Sequence, residues 1–459
     1  MRGLVFLLSC FVIVQSELSN DITEDTVEIP QQVHLSLTHV HTEMAVTWVT
    51  FTDVPHQVNY RKVGFTKVTS IKSSVTSFAT GTVTRYVHRA TMANLVPGES
   101  YAYQVGQTGA WSLEFTFKQL NIVPPYRLLV YGDLGMINGE SIPALLIEAG
   151  KKAFDLIIHV GDIAYDLHTD EGRNGDLYFN TLQPLFATVP YMVVAGNHED
   201  DGQNFTSYSS LFTMPDEGYG DSQFYSFNVG PIHFVGISTE YYGFYYKYGM
   251  DSIFTQYDWL ENDLKEANAN RSIRPWIFTY MHRPFYCSNS NSDECNAFEN
   301  TLVRDGFLNM PGLEKLFIDS HIDFGLWGHE HSYERFYPRV GDPNNIPADP
   351  YDNPQGPIYI ISGSAGCHSG QAYFGDPVPF SAKRVNDYGY AHMNIVNHTH
   401  IYFEQISVEK GGEVVDAIWI SKNISQYTMV QSKEEVVICH PKDMHCHRAK
   451  ASDKYDIIE

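Results

Sequence analysis

Short apolar runs dominate the chain from Tyr126 onward, and longer stretches with helical spacing separate them. The apolar runs are RLLVY, DLIIHV, YMVVA, IHFVGI, WIFTYM, DFGLW and PIYIIS. The stretches with helical spacing cover residues 139–152, 256–268 and 311–319. Because a strand that is apolar on both faces must be covered on both faces, this alternation predicts an α/β domain with a β-sheet core flanked by helices. We assign residues 123–430 to this domain, and HMNIVNHTHIYFEQIS and EVVDAIWISK near its end predict further antiparallel strands.

The preceding segment has a different hydrophobic period. From Glu28 to Gln119 apolar and polar residues alternate in short runs such as QVHLSLT, EMAVTWVTF and SYAYQVG, with PGES and GQTG as turns. Period-two alternation at this spacing predicts an antiparallel β-sandwich of fibronectin type III size, which we assign to residues 17–122. Its sequence contains no cluster of metal-ligand residue types, so we expect a structural or docking module.

The charge balance narrows the classes of partner. The net charge is −24, from 30 Lys and Arg against 54 Asp and Glu. A chain this acidic cannot assemble a broad basic patch, which argues against a nucleic-acid backbone or an anionic membrane as a partner. An anionic small substrate stays compatible with this charge, because bound metal ions can reverse the local potential.

The N-terminus and the glycosylation sequons predict export. MRGLVFLLSCFVIVQS has one basic residue and then an apolar run too short to span a bilayer, so residues 1–16 are predicted to be a signal peptide. We expect a secreted, extracellular or lysosomal-type location. Four N-x-S/T sequons agree with the predicted export, at Asn204, Asn270, Asn397 and Asn423. Residues 431–459 form a polar C-terminal tail.

An odd number of cysteines follows the predicted signal peptide. Short spacing suggests the disulfides Cys287–Cys295 and Cys439–Cys446, which leaves Cys367 as a buried, inert thiol. The tyrosine-rich stretch EYYGFYYKYGM could line a substrate mouth or a dimer face. A homodimer therefore stays an open alternative.

Polar residues of metal-ligand type directly follow five of the apolar runs. They occur in LLVYGDLG, IIHVGDIAYD, MVVAGNHED, WIFTYMHRP and FGLWGHEHSYER. One such motif would usually be a turn, with Gly accepting a positive φ and Asp capping a helix. Five together favour a metal site, because ligands collect at the carboxyl ends of the strands in an open α/β sheet. The candidate ligands are Asp133, Asp162, Tyr165, Asn197, His282, His329 and His331.

This number of ligands exceeds what one transition ion accepts, so the set predicts two ions with a shared carboxylate, for which Asp162 is the best candidate. Tyr165 indicates the identity of one ion. A phenol ionises near pH 10 and needs a strong Lewis acid to ionise at neutral or acid pH, and Fe(III) meets that requirement better than Zn(II) or Mg(II). The alternative, in which Tyr165 only packs over the sheet end, stays open on spacing alone.

The motif blocks GDLG, GDIAY, GNHE, the His-bearing strand end and GHEH resemble those of the purple acid phosphatases in their long, plant-type form. The resemblance implies a fibronectin-like sandwich followed by a calcineurin-like metallophosphoesterase domain, and hydrolysis of phosphate monoesters by metal-activated hydroxide. It implies Fe(III) plus a divalent ion (Zn, Fe or Mn), with small phosphoesters as substrates. By this resemblance Asp133, Tyr165 and His331 ligate Fe(III) and Asp162 bridges. Asn197, His282 and His329 then hold the divalent ion, and Asn197 and His198 contact substrate, with His198 helping to protonate the leaving group.

Two departures from the family pattern are visible. Thr279 stands where the family commonly has Val, and the segment RPFYCSNSNSDEC after His282 lacks the paired histidines of plant members. Three alternatives remain at this stage. They are a two-metal phosphodiesterase or pyrophosphatase, a non-catalytic secreted binding protein on the same fold, and an iron-dependent redox role.

Overall fold

The N-terminal part of the protein is a sandwich of two antiparallel sheets. The computed structural model describes residues 28–290, 295, 297–339 and 346–425. The strands of the sandwich are β1 (Gln31–Ser36), β2 (Met44–Thr50), β3 (Gln57–Lys62), β4 (Thr69–Lys72), β5 (Ser74–Thr80), β6 (Val83–Met92), β7 (Ser100–Gln107), β8 (Ala110–Trp111) and β9 (Phe115–Lys118). One sheet has the order β1-β2-β6-β5, and the other has the order β4-β3-β7-β8 with β9 also paired to β7. The predicted sandwich is confirmed.

Two further sheets form the core of the rest of the chain. Their strands are β10 (Tyr126–Tyr131), β11 (Leu156–His159), β12 (Tyr191–Val193), β13 (Tyr225–Val229), β14 (Ile232–Gly236), β15 (Trp276–Tyr280), β18 (Phe324–Trp327), β19 (Tyr333–Phe336), β20 (Ile358–Ser362), β21 (Ser381–Val385), β22 (Gly389–Ile395), β23 (His400–Ser407) and β24 (Glu413–Ser421). A short separate ladder joins β16 (Gly306–Phe307) to β17 (Met310–Pro311). The sheet orders are β12-β11-β10-β22-β23-β24 and β13-β14-β15-β18-β20-β19-β21.

Both core sheets combine parallel and antiparallel strands. In the first sheet β10, β11 and β12 run parallel, and in the second β14, β15, β18 and β20 do. The antiparallel strands predicted near the C-terminus extend the first sheet beside β10. The predicted β-sheet core flanked by helices is confirmed, and the structure divides it into two sheets. Phe278 and Leu326 of the second sheet share a buried cluster with Leu128 of the first.

Helices cover the outer faces of these sheets. They are α1 (Ile142–Gly150), α2 (Arg173–Phe186), α3 (Thr206–Leu211), α4 (Glu240–Gly243), α5 (Tyr245–Tyr248), α6 (Asp251–Ala269), α7 (Phe298–Asp305) and α8 (Leu313–Asp319), with a 3-10 turn at Asn197–Glu199. The second buried cluster joins Ile277 and Trp327 of the second sheet to Leu260 of α6 and Phe317 of α8. Alternate residues of one strand therefore face the other sheet and the helices, which explains the continuous apolar runs. All three predicted helical stretches contain helices.

Polar contacts join the sandwich to the second domain. The guanidinium of Arg85 in β6 donates to both carboxylate oxygens of Asp176 in α2, at 2.8 and 2.7 Å, and both side chains are buried. Gln32 also donates to Asp176 at 2.7 Å, and the Tyr103 hydroxyl donates to the carbonyl of Ala187 at 2.7 Å. The paired charges leave the buried Asp176 carboxylate compensated, so these contacts fix the sandwich against α2.

Further expectations concern the disulfides, the glycosylation sequons and the two ends of the chain. A disulfide joins Cys287 to Cys295, as expected. The Cys439–Cys446 pair, the signal peptide and the C-terminal tail lie outside the described residues. The asparagines of the four sequons are all exposed, at positions 204, 270, 397 and 423. Among the helices that the structure describes, none is long and apolar enough to span a lipid bilayer.

Candidate metal centre

The predicted ligands follow the carboxyl ends of parallel strands from both core sheets. In the first sheet Asp133 follows β10, Asp162 and Tyr165 follow β11, and Asn197 follows β12. In the second sheet His282 follows β15, and the loop after β18 carries His329 and His331. The structure brings all seven side chains into one cluster, where their polar atoms contact one another. The cluster forms because the carboxyl ends of the parallel strands in both sheets lie on the same side of the domain.

In the first half of the cluster, two imidazoles and one side-chain amide lie around the carboxylate of Asp162. His282 Nε2 lies 3.3 Å from Asp162 Oδ2 and 3.1 Å from Asn197 Oδ1. His329 Nδ1 lies 3.0 Å from Asn197 Oδ1 and 3.2 Å from His282 Nε2. Asp162, His282 and His329 each offer one ligand atom within 4.8 Å of the others. This half suits a divalent ion that accepts imidazole, amide and carboxylate ligands.

The second half of the cluster contains the tyrosine. The Tyr165 hydroxyl lies 2.8 Å from His331 Nε2 and 3.4 Å from Asp133 Oδ1, and His331 Nε2 lies 3.6 Å from the same carboxylate oxygen. Asp133, Asp162 and His331 again offer ligand atoms within 4.8 Å of one another. Asp162 therefore belongs to both halves. A carboxylate shared by two ligand sets is the arrangement that two adjacent ions require, and the donor chemistry fits a binuclear centre.

The backbone around the cluster is compact and partly left-handed. The Cβ that a side chain would add at Gly196 would lie 2.3 Å from Asp162 Oδ1, so only glycine permits that approach. Asp133, Asp162, Tyr165 and His329 have φ between 49° and 72°. Non-glycine residues in this region cost free energy and concentrate at functional sites, so the surrounding fold holds these four side chains against a local preference.

Carbonyl oxygens orient two of the histidines. The Nδ1–H of His282 donates to the Val160 carbonyl at 2.9 Å, which directs its Nε2 into the cluster. His331 Nδ1 lies 3.1 Å from the Gly370 carbonyl, which likewise directs its Nε2 toward Tyr165 and Asp133.

Glu199 is a supporting residue that the sequence analysis did not single out, although it is the last residue of the GNHE motif. Its buried carboxylate accepts hydrogen bonds from the backbone N–H groups of Asp162, Ile163 and Gly196 at 2.8–2.9 Å. Burial and the nearby charge of Asp162 raise the pKa of Glu199 to about 8. Glu199 thus ties the loop after β11 to the loop after β12.

Burial and the nearby carboxylates change the protonation of two of the ligands, His282 and Tyr165. Burial alone lowers the pKa of an imidazole, yet the charge of Asp162 raises the pKa of His282 to about 10. Burial raises the pKa of the Tyr165 phenol well above its usual value, and the charges of Asp133 and Asp162 raise it further. The protein by itself therefore keeps Tyr165 protonated, and only a strong Lewis acid at this position would release its proton.

His198 lies at the edge of the cluster and pairs with a carboxylate. Its backbone N–H donates to Asp162 Oδ1 at 2.9 Å, and its Nδ1–H donates to Asp166 Oδ1 at 3.0 Å. Burial lowers the pKa of His198, but the hydrogen bond to Asp166 and the charge of Asp162 outweigh burial and raise it to about 9. Asp166 is the last residue of the motif IIHVGDIAYD, and the motif alone does not predict its role. The contact appears only when the loops after β11 and β12 meet.

The loop after β20 also reaches the cluster. Cys367 is buried and not disulfide-bonded, and burial raises the pKa of its thiol to about 12, in agreement with an inert thiol. The ring of the next residue, His368, lies 4.7 Å from the ring of Tyr165 and 5.3 Å from the ring of His198, measured between centroids. His368 could not be predicted from the sequence, because no local motif connects it to the other strand ends.

Thr279 and Arg283, which stand at the two departures from the family pattern, are buried. The Thr279 hydroxyl donates to the Phe324 carbonyl at 3.1 Å, between β15 and β18. Arg283, directly after His282, donates to both carboxylate oxygens of the buried Glu240 at 3.0 Å. The Cys287 sulfur lies 3.3 Å from Glu330 Oε1, in the loop that carries His329 and His331. The disulfide thus packs behind the ligand loop.

Comparison with known proteins agrees with this architecture. Residues 30–119 match the family model for the purple acid phosphatase N-terminal domain, residues 126–333 match that for calcineurin-like phosphoesterases, and residues 356–417 match that for the C-terminal part of iron/zinc purple acid phosphatase-like proteins.

Relatives and a solved structure extend along most of the chain. Acid phosphatase type 7 of Homo sapiens is 40% identical over 402 residues, which is 85% of this chain and 90% of the relative. Its counterpart in Danio rerio is 41% identical over 413 residues, covering 86% and 91%. A purple acid phosphatase from seeds of yellow lupin (Lupinus luteus) shares the fold, with a TM-score of 0.74 at 21% identity over 87% of this chain and 75% of the lupin chain. The family models and the relatives together show that the chain belongs to the purple acid phosphatase family.

Proposed function

We propose that this protein hydrolyses phosphate monoesters at a binuclear centre that holds Fe(III) on the Tyr165 side and Zn, Mn or Fe as the divalent ion on the His282 side. The observation that carries the proposal is that two ligand sets share Asp162 and that one of them contains a tyrosine hydroxyl. The names of the relatives, acid phosphatase type 7, support the same activity.

The assignment of the ions follows from donor chemistry. A phenolate and carboxylates are hard, anionic ligands that suit Fe(III), whereas two imidazoles and an amide suit a divalent ion. When bound, the two ions would supply a nucleophile derived from water and neutralise charge on the phosphoryl oxygens. They would also explain how a chain of net charge −24 attracts a phosphate dianion.

His198 is the proposed proton donor to the leaving group. Because Asp166 accepts the proton on Nδ1, the second proton of the imidazolium is on Nε2, where it can be transferred to the departing ester oxygen. The raised pKa keeps His198 protonated at neutral and acid pH, which is the state that a general acid requires. Asp166 acts through His198 by fixing its ring and its tautomer.

We also propose that the protein is exported and glycosylated. The apolar N-terminal segment supports export, and the exposure of all four sequon asparagines is compatible with glycan attachment at each of them. N-terminal sequencing and glycosidase treatment of the protein secreted from eukaryotic cells would test this.

The test of the catalytic proposal combines metal analysis, a visible spectrum and substrate comparison on one purified sample. We expect about one iron and one further ion per chain, a charge-transfer band that Tyr165→Phe abolishes, and faster turnover of monoesters than of diesters. A protein with two zinc ions and no band would overturn the Fe(III) assignment. Preference for a diester or a pyrophosphate would overturn the substrate class. A protein that binds no metal and remains inactive after iron and zinc are added would indicate the non-catalytic alternative.

A further inference from the structure

His368 carries an exposed imidazole on a backbone that the surrounding fold holds in place. Its carbonyl accepts a hydrogen bond from Asn138 Nδ2 at 3.2 Å, and the N–H of the preceding Cys367 donates to the Leu134 carbonyl at 3.2 Å. Cys367 has φ of 81°, a left-handed conformation that a side chain other than glycine rarely adopts. Strained, anchored backbone that presents a polar side chain to solvent beside a reactive centre is typical of residues that contact a ligand.

The same loop approaches the metal centre at a second point. A Cβ added at Gly366 would lie 2.1 Å from the Leu134 carbonyl oxygen, so the loop passes directly against the segment that carries Asp133. Further along, the Gly370 carbonyl contacts His331 Nδ1 at 3.1 Å. The position of His368 is therefore set by contacts on both sides of it, and its ring does not depend on a flexible surface loop for its placement.

The rings around His368 lie on a side of the centre that is open to solvent. His198 and His368 both contact the Tyr165 ring, with centroids 4.6 and 4.7 Å away, and the two imidazoles are 5.3 Å apart. His198 is partly exposed and His368 is exposed, so both can reach a ligand that approaches from solvent. The segment after His282 contributes no imidazole from its own sequence, RPFYCSNSNSDEC.

We infer that His368 is a substrate-contacting residue that donates a hydrogen bond to the phosphoryl group of the bound monoester, beside His198. This inference rests on the proposed phosphatase function. The second imidazole of the substrate site then comes from the loop after β20, which follows all seven predicted metal ligands in the sequence. The ligand class is a phosphate monoester or inorganic phosphate, because both present the same terminal oxygens.

The test uses the full mature, metal-loaded protein with His368→Ala and His368→Gln. Binding of inorganic phosphate is measured by calorimetry, and KM and kcat are measured with an aryl and an alkyl monoester. We expect phosphate binding to weaken and KM to rise about tenfold in His368→Ala, as for the loss of one hydrogen bond to a charged group, with partial recovery in His368→Gln, which keeps a donor. Metal content and the visible spectrum should remain those of the unmodified protein.

His400→Ala is the matched control. His400 is exposed and begins β23, at the end of the first core sheet opposite the strand ends that carry the ligands. Its substitution should leave phosphate affinity, KM and kcat unchanged.

Two results with His368→Ala would overturn the inference. One is equal phosphate affinity and equal KM in the unmodified protein and His368→Ala. The other is loss of metal or of the visible band in His368→Ala, with phosphate affinity restored by added metal, because His368 would then act only through Tyr165. If phosphate binds and depends on His368 but no monoester is hydrolysed, the proposed function fails while the His368 contact stands. Absence of phosphate binding to the unmodified, metal-loaded protein would overturn both.

Discussion

Histidines are buried both at the metal centre and inside the sandwich, and the surroundings of His282 at the centre act on charge in the opposite direction to those of His56 and His88 in the sandwich. In the sandwich the rings of His56 and His88 stack 4.6 Å apart, and His88 stacks on Trp48 at 5.4 Å. Burial lowers the pKa of His56 to about 4 and that of His88 to about 3. At the centre, the charge of Asp162 raises the pKa of the equally buried His282 to about 10.

The hydrogen-bond partners explain this difference. The indole N–H of Trp48 donates to His56 Nδ1 at 3.0 Å, and hydroxyl groups of Thr50 and Ser73 contact the ring nitrogens of His88 at 2.9 and 3.2 Å. These neutral partners satisfy a neutral imidazole and provide no attraction for a cation. A buried histidine alone is therefore no evidence of a metal site. What distinguishes the centre is that carboxylates and imidazoles point their acceptor atoms at the same positions.

Substitution of the shared carboxylate should have the largest effect on catalysis. We expect Asp162→Ala to lose both ions and more activity than the 10²–10³-fold that removal of one stabilising group typically costs. Metal analysis and kcat/KM on the same sample check this. The control is Asp176→Asn, which alters the buried carboxylate that pairs with Arg85 between the two domains and should affect stability but retain both ions. Retention of two ions by Asp162→Ala would contradict the bridging role.

Removal of the phenol should have the next largest effect. Tyr165→Phe keeps the aromatic packing but removes the oxygen next to His331 and Asp133, so we expect loss of the visible band and a decrease in activity of about a hundredfold. Absorption spectroscopy and steady-state kinetics provide the measurement. Tyr191→Phe is a matched control, because this buried tyrosine lies in β12 behind the centre. A full visible band in Tyr165→Phe would show that the phenol is no ligand.

The partner of His198 should matter less than the ligands themselves. Asp166→Asn removes the carboxylate that raises the pKa of His198, so the alkaline limb of the kcat/KM profile should move to lower pH and activity should fall about tenfold. Both ions should be retained. An unchanged pH profile would mean that the carboxylate does not control the proton on His198.

The histidines of the sandwich should affect stability and leave catalysis unchanged. Because the folded pKa values of His56 and His88 lie below the unfolded value near 6.5, the unfolded chain binds more protons between about pH 6.5 and pH 3. The stability that the neutral rings provide is therefore complete above pH 6.5 and is lost as the pH falls, by about 1.4 kcal/mol for each unit of pKa difference. Denaturant unfolding at pH 7 and pH 4 should show a smaller pH effect in His88→Gln than in the unmodified protein, with equal kcat. An equal pH effect in both would contradict this account.

Much of the metal centre could be predicted because it depends on local signals. Each ligand directly follows an apolar strand, and parallel strands of this fold class place their carboxyl ends together, so Asp133, Asp162 and His282 could be assigned to one site before any geometry was known. The supporting residues could not be found in this way. Asp166 and Glu199 differ from ordinary turn residues only through contacts between separate loops, and His368 follows a strand without any ligand motif.

Local sequence accounts for the order of the two domains, for the alternating or continuous apolar residues of their strands, and for the residue types at the strand ends. These features depend on neighbours along the chain. The packing of remote segments accounts for the two sheets of the core and for the place of Asp162 in both ligand sets. It also lowers the pKa values of His56 and His88 while raising that of His282. The physical reason is that electrostatic free energy and ligand geometry depend on distances between atoms of remote segments. Those distances exist only after the sheets have packed.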